Sequence, residues 1–168
     1  DKMSKSRGTG ISPQRYIELG LDPEWLRYYI GAKLNAKVDD VDFSPDDFVA
    51  RVNSDLIGKY VNIASRAANF ITRHFEGALG TSAESEHDRT NRLTIAQADA
   101  EAARANYDAR EFGRVLRDVM RIADRINEAF DAAQPWLLPK DEAKRAALQT
   151  VCQQALQGVQ VLVGVLAP

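Results

Sequence analysis

The stretch SPDDFVARVNSDLIGKYVNIASRAANFITRHF, residues 44–75, decides the fold. Phe48, Val52, Leu56, Tyr60, Ile63, Ala67 and Phe70 recur in it at steps of three and four, which predicts one long helix with a single apolar face. Ser44-Pro45 starts it: the Ser hydroxyl can accept from a free first-turn N–H, and the fixed φ of Pro suits the first helical position. The same pairing upstream, at Ser12-Pro13 and Asp22-Pro23, predicts a short helix over 12–19 closed by Gly20 and a second over 23–37. The second carries Trp25, Leu26, Tyr29, Ile30 and Leu34. Between it and the long helix, residues 38–43 alternate apolar and acidic side chains, as a short edge strand or an extended link would. Downstream, residues 76–90 read as a surface loop, followed by helices over 91–107, 109–133 and 139–166. Asp108 and Glu111 form a capping-box variant, and the last helix is marked by Leu148, Val151, Ala155, Val159, Leu162 and Leu166. The expected fold class is all-α: an antiparallel helix bundle preceded by a small loop, helix and short-strand connecting region.

With 168 residues there is room for one ordinary domain and a small appendage. Hydrophobic residues at 45 % and charged ones at 27 % give a chain that can bury a core, which excludes disorder over its full length. The net charge of −2 means that any nucleic-acid binding must rest on a local arrangement of cations. The single Cys152 excludes an intrachain disulfide and speaks against a zinc site, and no metal ligands are expected; His74 and His87 lack ligand spacing. A cytoplasmic setting fits. No signal peptide is read, and Val159–Ala167 is too short to span a bilayer, so no membrane partner is expected. Because the chain opens on Asp1 directly against a motif, a fragment of a longer protein is expected.

Two cationic stripes stand out. Lys59, Asn62, Arg66, Asn69 and Arg73 line the long helix opposite its apolar face, with no acidic residue between Lys59 and Arg73. Most such stripes are solvated faces. Asn and Arg, however, also offer base edges paired donors and acceptors or a fixed donor fork, and single-stranded loops are read by such contacts plus aromatic stacking. Both readings stand. Arg110, Arg114, Arg117, Arg121 and Arg125 share one face of the helix over 109–133. They could follow a phosphate backbone or pair with Asp118, Asp124, Glu128 and acids on neighbouring helices; the pairing is the preferred reading.

The most specific segment is Lys2-Met3-Ser4-Lys5-Ser6. When a carboxylate attacks the α-phosphate of ATP, charge grows on the departing pyrophosphate, and flexible ammonium groups that tighten on it lower the barrier. Small Ser and Gly residues let such a loop close over the phosphates. Lys2–Ser6 resembles the signature loop of class I aminoacyl-tRNA synthetases. Arg7-Gly8-Thr9, Leu26-Arg27-Tyr28-Tyr29-Ile30, Asp39–Phe43, Phe48–Asn53, Val61–Arg66, Arg110-Glu111-Phe112 and Gln134-Pro135-Trp136 are similar to the methionyl-tRNA synthetase family, in its order and spacing. The resemblance weakens over 10–20 and 76–100.

The resemblance implies that residues 1–43 hold the end of a catalytic domain with its ATP loop and a stem-contact region, and 44–168 a helical anticodon-binding domain. Lys5 would be the main transition-state contact, supported by Lys2, with Lys2, Met3, Ser4, Lys5 and Ser6 at ATP. Asn62 and Arg66 would contact anticodon bases, and Pro135 and Trp136 would supply a stacking surface. The parent enzyme would join methionine to tRNA(Met), initiator and elongator, using ATP with Mg2+. This chain contains neither the second ATP motif nor a methionine pocket, so by itself it is expected to bind no cofactor and to activate no methionine. Alternatives are a tRNA-binding module without catalytic role, or another class I synthetase.

Overall fold

The computed structural model describes residues 11–37, 40–80, 85–140 and 142–167. Lys2–Ser6, together with Val38 and Asp39, lie outside that set. In chain order the described elements are α1 (Pro13–Glu18), α2 (Pro23–Gly31), α3 (Pro45–Arg51), a π-helical segment (Val52–Val61), α4 (Asn62–Phe75), α5 (Glu86–Asp108), α6 (Phe112–Ala132), 3₁₀ turns at Leu138–Lys140 and Glu142–Lys144, and α7 (Arg145–Leu166). No strand occurs among the described residues, and all regular structure there is helical.

The three Pro-led starts form as the sequence predicts. Ser12 Oγ accepts from Arg15 N at 3.1 Å, Asp22 Oδ1 from Glu24 N at 2.9 Å and Ser44 Oγ from Asp47 N at 3.3 Å. Gly20 takes φ +74°, the left-handed stop that only glycine adopts without strain. Elsewhere local signals were overruled. α2 ends at Gly31 rather than Lys37: Lys33 N and Leu34 N turn to the carbonyls three residues back, and the Leu34 carbonyl then accepts from Gly113 N at 2.8 Å. Trp25 and Leu34, counted on its apolar face, stay exposed. Residues 40–43 form neither a strand nor a helix. α5 begins at Glu86, five residues early, where Ser85 Oγ accepts from Asp88 N at 3.1 Å. The Asp108/Glu111 capping box does not form: Asp108 ends α5, Arg110 turns the chain at φ +60°, and the Glu111 side chain makes no cap bond. α7 starts at Arg145, after the 3₁₀ turns.

The long helix is continuous but changes winding. Between Val52 and Val61 the backbone bonds five residues back, so the side chains beyond are rotated relative to those before. The predicted single apolar face is split accordingly. Phe48 and Val52 pack with Tyr16 and Tyr29 in a small N-terminal cluster, while Ile63, Ala67 and Ile71 enter the main core; Leu56 touches both. Phe70 is only half-buried, and Ile71 takes the core place expected of it.

Consecutive helices of the bundle run antiparallel. Asp99 of α5 meets Arg125 of α6, and Arg145 at the start of α7 donates to the His74 carbonyl at the end of α4. α7 packs most extensively against α4 and α6, and Leu148, Cys152 and Leu162 are buried in one core with Val115, Val119 and Ala123. α4 and α6 lie parallel and side by side. Residues 11–37 dock on the start of α3 through Tyr29, whose hydroxyl accepts from Lys33 Nζ and from Ser44 N and donates to Asp47 at 3.1 Å, and on the start of α6 through the Leu34 carbonyl, which accepts from Gly113 N.

Candidate nucleic-acid interface

The parallel run of α4 and α6 sets side chains of one helix against the other at matched intervals. Lys59 and Arg66 are seven residues apart, as are Asp124 and Asp131. Two helical turns separate each pair, so both ion pairs form: Lys59 Nζ to Asp124 Oδ2 at 2.8 Å and Arg66 Nη2 to Asp131 Oδ1 at 2.5 Å. The cationic stripe therefore meets its acids on another helix. Asn69 and Arg73, farther along, are exposed and have no partner among the described residues.

Arg66 is held on three sides. Its guanidinium carbon lies 4.9 Å from the centroid of the buried Phe130 ring and 5.9 Å from that of Trp136, within cation–π range of both. Phe130 packs in turn on Phe70, 6.3 Å between centroids, and Phe70 stacks on His74. Asn62 sits one turn before Arg66 on the same face; it is half-buried, and no described residue bonds its side chain. A free amide beside a fixed guanidinium fork can exchange donors and acceptors with a base edge.

Trp136 comes to this face through the way α6 ends. Gln134 adopts φ +47°, Pro135 follows, and Leu137 N and Leu138 N donate back to the carbonyls of Gln134 and Pro135. Pro135 is less than 2 % exposed and Trp136 44 %. Of the two residues expected to stack, Trp136 is exposed, and Pro135 is buried in the turn that precedes it. A half-exposed indole flanked by a cation offers a flat ring to an unstacked base.

The sequence brought Asn62, Arg66 and Trp136 to notice, and the structure gathers them on one face. Asp124 and Asp131 were missed as partners of Lys59 and Arg66, although their matching seven-residue spacing was a readable signal. Lys2, Met3, Ser4, Lys5 and Ser6 lie outside the described residues. Among the described residues no cluster of His, Cys, Asp or Glu could hold a metal ion, and no helix is long and apolar enough to cross a membrane.

Residues 1–68 match the family described as tRNA synthetases class I (M). Over its whole length the chain is similar to methionine–tRNA ligases: 56 % identical to that of Janthinobacterium sp. (strain Marseille), covering 100 % of this chain and 24 % of the relative. Against the methionine–tRNA ligase of Neisseria meningitidis it is 50 % identical over 99 % of this chain and 24 % of the relative. The chain therefore spans about a quarter of the length of the curated relatives it matches. Among solved structures, Mycobacterium tuberculosis methionyl-tRNA synthetase bound by methionyl-adenylate superposes with a TM-score of 0.85 at 24 % identity, covering 97 % of this chain and 32 % of that one. The last likeness concerns the fold.

Proposed function

We propose that this chain is the anticodon-reading quarter of a cytoplasmic methionine–tRNA ligase, joined at its N-terminal end to the edge of the ATP site. The observation that carries the reading is the half-exposed Trp136 ring beside a restrained Arg66 and an unbonded Asn62, in a chain similar throughout to methionine–tRNA ligases. On this reading residues 44–168 bind the anticodon of initiator and elongator tRNA(Met), and the connecting region within residues 1–43 contacts the stem. Pre-ordering supports it: the Asp131 bond and the Phe130 ring already restrict Arg66, so less side-chain freedom is lost when a base arrives.

In the parent enzyme Lys5 and Lys2 would grip the triphosphate of ATP, with its Mg2+, while methionine attacks the α-phosphate; the methionyl group would then pass to the tRNA. The methionine pocket is assigned to sequence outside this chain. The purified chain is therefore expected to show no methionine-dependent pyrophosphate exchange.

The direct test is binding of a tRNA(Met) anticodon stem-loop against one with the CAU anticodon changed. Discrimination should be clear for the native chain and reduced in Asn62→Ala and Arg66→Ala. Equal binding of both RNAs would refute base reading by this face.

A further inference from the structure

The five arginines along α6 are not equivalent once the bundle is assembled. Arg121 is paired with Asp118, and Arg125 Nη2 meets Asp99 Oδ2 at 2.8 Å. Arg114 and Arg117 are exposed and pair with no acid among the described residues. Both line an open groove of about 780 Å³ between α6, α2 and the π-helical segment. Arg51, on the opposite wall, has its Nε buried without a hydrogen-bond partner among the described residues.

The acids of the groove are largely engaged already. Asp55 accepts from the Tyr28 hydroxyl at 3.0 Å, Asp118 binds Arg121, and Asp124 binds Lys59. Glu111 is the one carboxylate among the described lining residues without such a bond, facing Arg51, Arg114 and Arg117. The described lining carries five cations (Arg51, Lys59, Arg114, Arg117 and Arg121) against four carboxylates (Asp55, Glu111, Asp118 and Asp124), so the groove is net positive although the chain as a whole is net negative. The same groove holds the Lys59–Asp124 pair, two turns of α6 before Arg66–Asp131, so it leads directly into the candidate interface. From Arg114 to Asp131 the helix advances about 26 Å, the length of roughly seven or eight stacked nucleotides at 3.4 Å each.

We propose that Arg114 and Arg117 form a second RNA contact, a phosphate-backbone rail that leads the strand from the Arg66–Trp136 face toward the end where residues 11–37 dock. It rests on the RNA-binding reading above and extends it. Base contacts specify and phosphate contacts position, so the two sites should separate experimentally. The rail needs no induced folding, since its arginines already stand on a rigid helix.

Arg114→Gln, Arg117→Gln and the double variant are compared with native protein for binding of the stem-loop across a salt series. Each phosphate contact contributes about 0.7 to 0.9 to the slope of log K against log salt, so each single variant should lower the slope by about one and the double by nearly two. Discrimination between CAU and altered anticodons should be unchanged in all three. Arg104→Gln, an exposed arginine on α5 away from this groove, is the control and should keep the native slope. An unchanged slope in the double variant, or an equal fall in Arg104→Gln, overturns the rail. Loss of anticodon discrimination in the native chain would instead defeat the base-reading proposal, and the slope would still report on Arg114 and Arg117.

Discussion

Replacing Trp136 by Ala separates what its indole does for the fold from what it does for RNA. With the ring 44 % exposed, about 100 Å² of it is covered, which at 25 cal/mol per Å² bounds the burial term at roughly 2.5 kcal/mol. The Arg66 contact at 5.9 Å lies at the outer limit of its range and adds at most about 0.5 kcal/mol. A domain of this size holds on the order of 5–15 kcal/mol, so the variant stays folded at 25 °C. Against RNA, a stacked base is worth about 1–3 kcal/mol, a loss of roughly 5- to 150-fold in affinity. The assay is stem-loop binding by fluorescence anisotropy at 25 °C, with urea unfolding of the same preparations. Trp136→Phe keeps a ring face and should recover most of the affinity. A folded Trp136→Ala protein that binds like the native chain would refute the stacking role. Affinity lost only in proportion to the unfolded fraction would refute it equally.

Gly113→Ala tests the joint between α6 and the end of α2: the new methyl would stand 2.8 Å from the Ala32 carbonyl oxygen and 3.2 Å from that of Leu34. The overpacking cost of about 1–3 kcal/mol exceeds the helix-propensity gain of about 1 kcal/mol, so calorimetry should show a lower Tm, and a raised Tm would contradict the packing described. The acid side of the stability profile should depend on Asp47, whose carboxyl is held below its ordinary value of 3.8 by the Lys33 bond. Its contribution is present above that value and fades as pH falls through the lowered one. The gap in urea midpoint between native protein and Asp47→Asn should therefore close on acidification, and a constant gap would count against the pairing. Lys33 gives the alkaline limit: burial alone would lower it, but bonds from Tyr29 and Asp47 outweigh this and raise it above 10.5. Its contribution is present below 10.5 and lost as pH rises through the raised value. Cys152 is fully buried, and burial lifts its thiol to about 11. At pH 8 a thiol reagent should modify native protein far more slowly than urea-unfolded protein; equal rates would exclude the packed α7 seat.

The three Pro-led helix starts were legible because their causes are local. Ser12, Asp22 and Ser44 cap their own first turns with side chains two or three residues from the N–H they satisfy, and the following Pro fixes φ without help from the rest of the fold. The end of α2 was not. The chain leaves the helix after Gly31, where periodicity alone would run to Lys37, and the Leu34 carbonyl is taken by Gly113 N, far along the chain.

By itself the sequence determined the helical class, the heptad-scale apolar pattern and a polar stripe, Lys59, Asn62, Arg66, Asn69 and Arg73, whose Asn and Arg side chains can bond a base edge. These follow from side-chain chemistry and from a repeat that any α-helix imposes. Only the tertiary structure decided which of the charged residues pair with one another. The π-helical segment sets the phase of α4, α6 then brings Asp124 and Asp131 against Lys59 and Arg66, and burial sorts Pro135 from Trp136. An ion pair across two helices depends on the relative rotation and rise of both, which packing of the core fixes and no single stretch of sequence encodes.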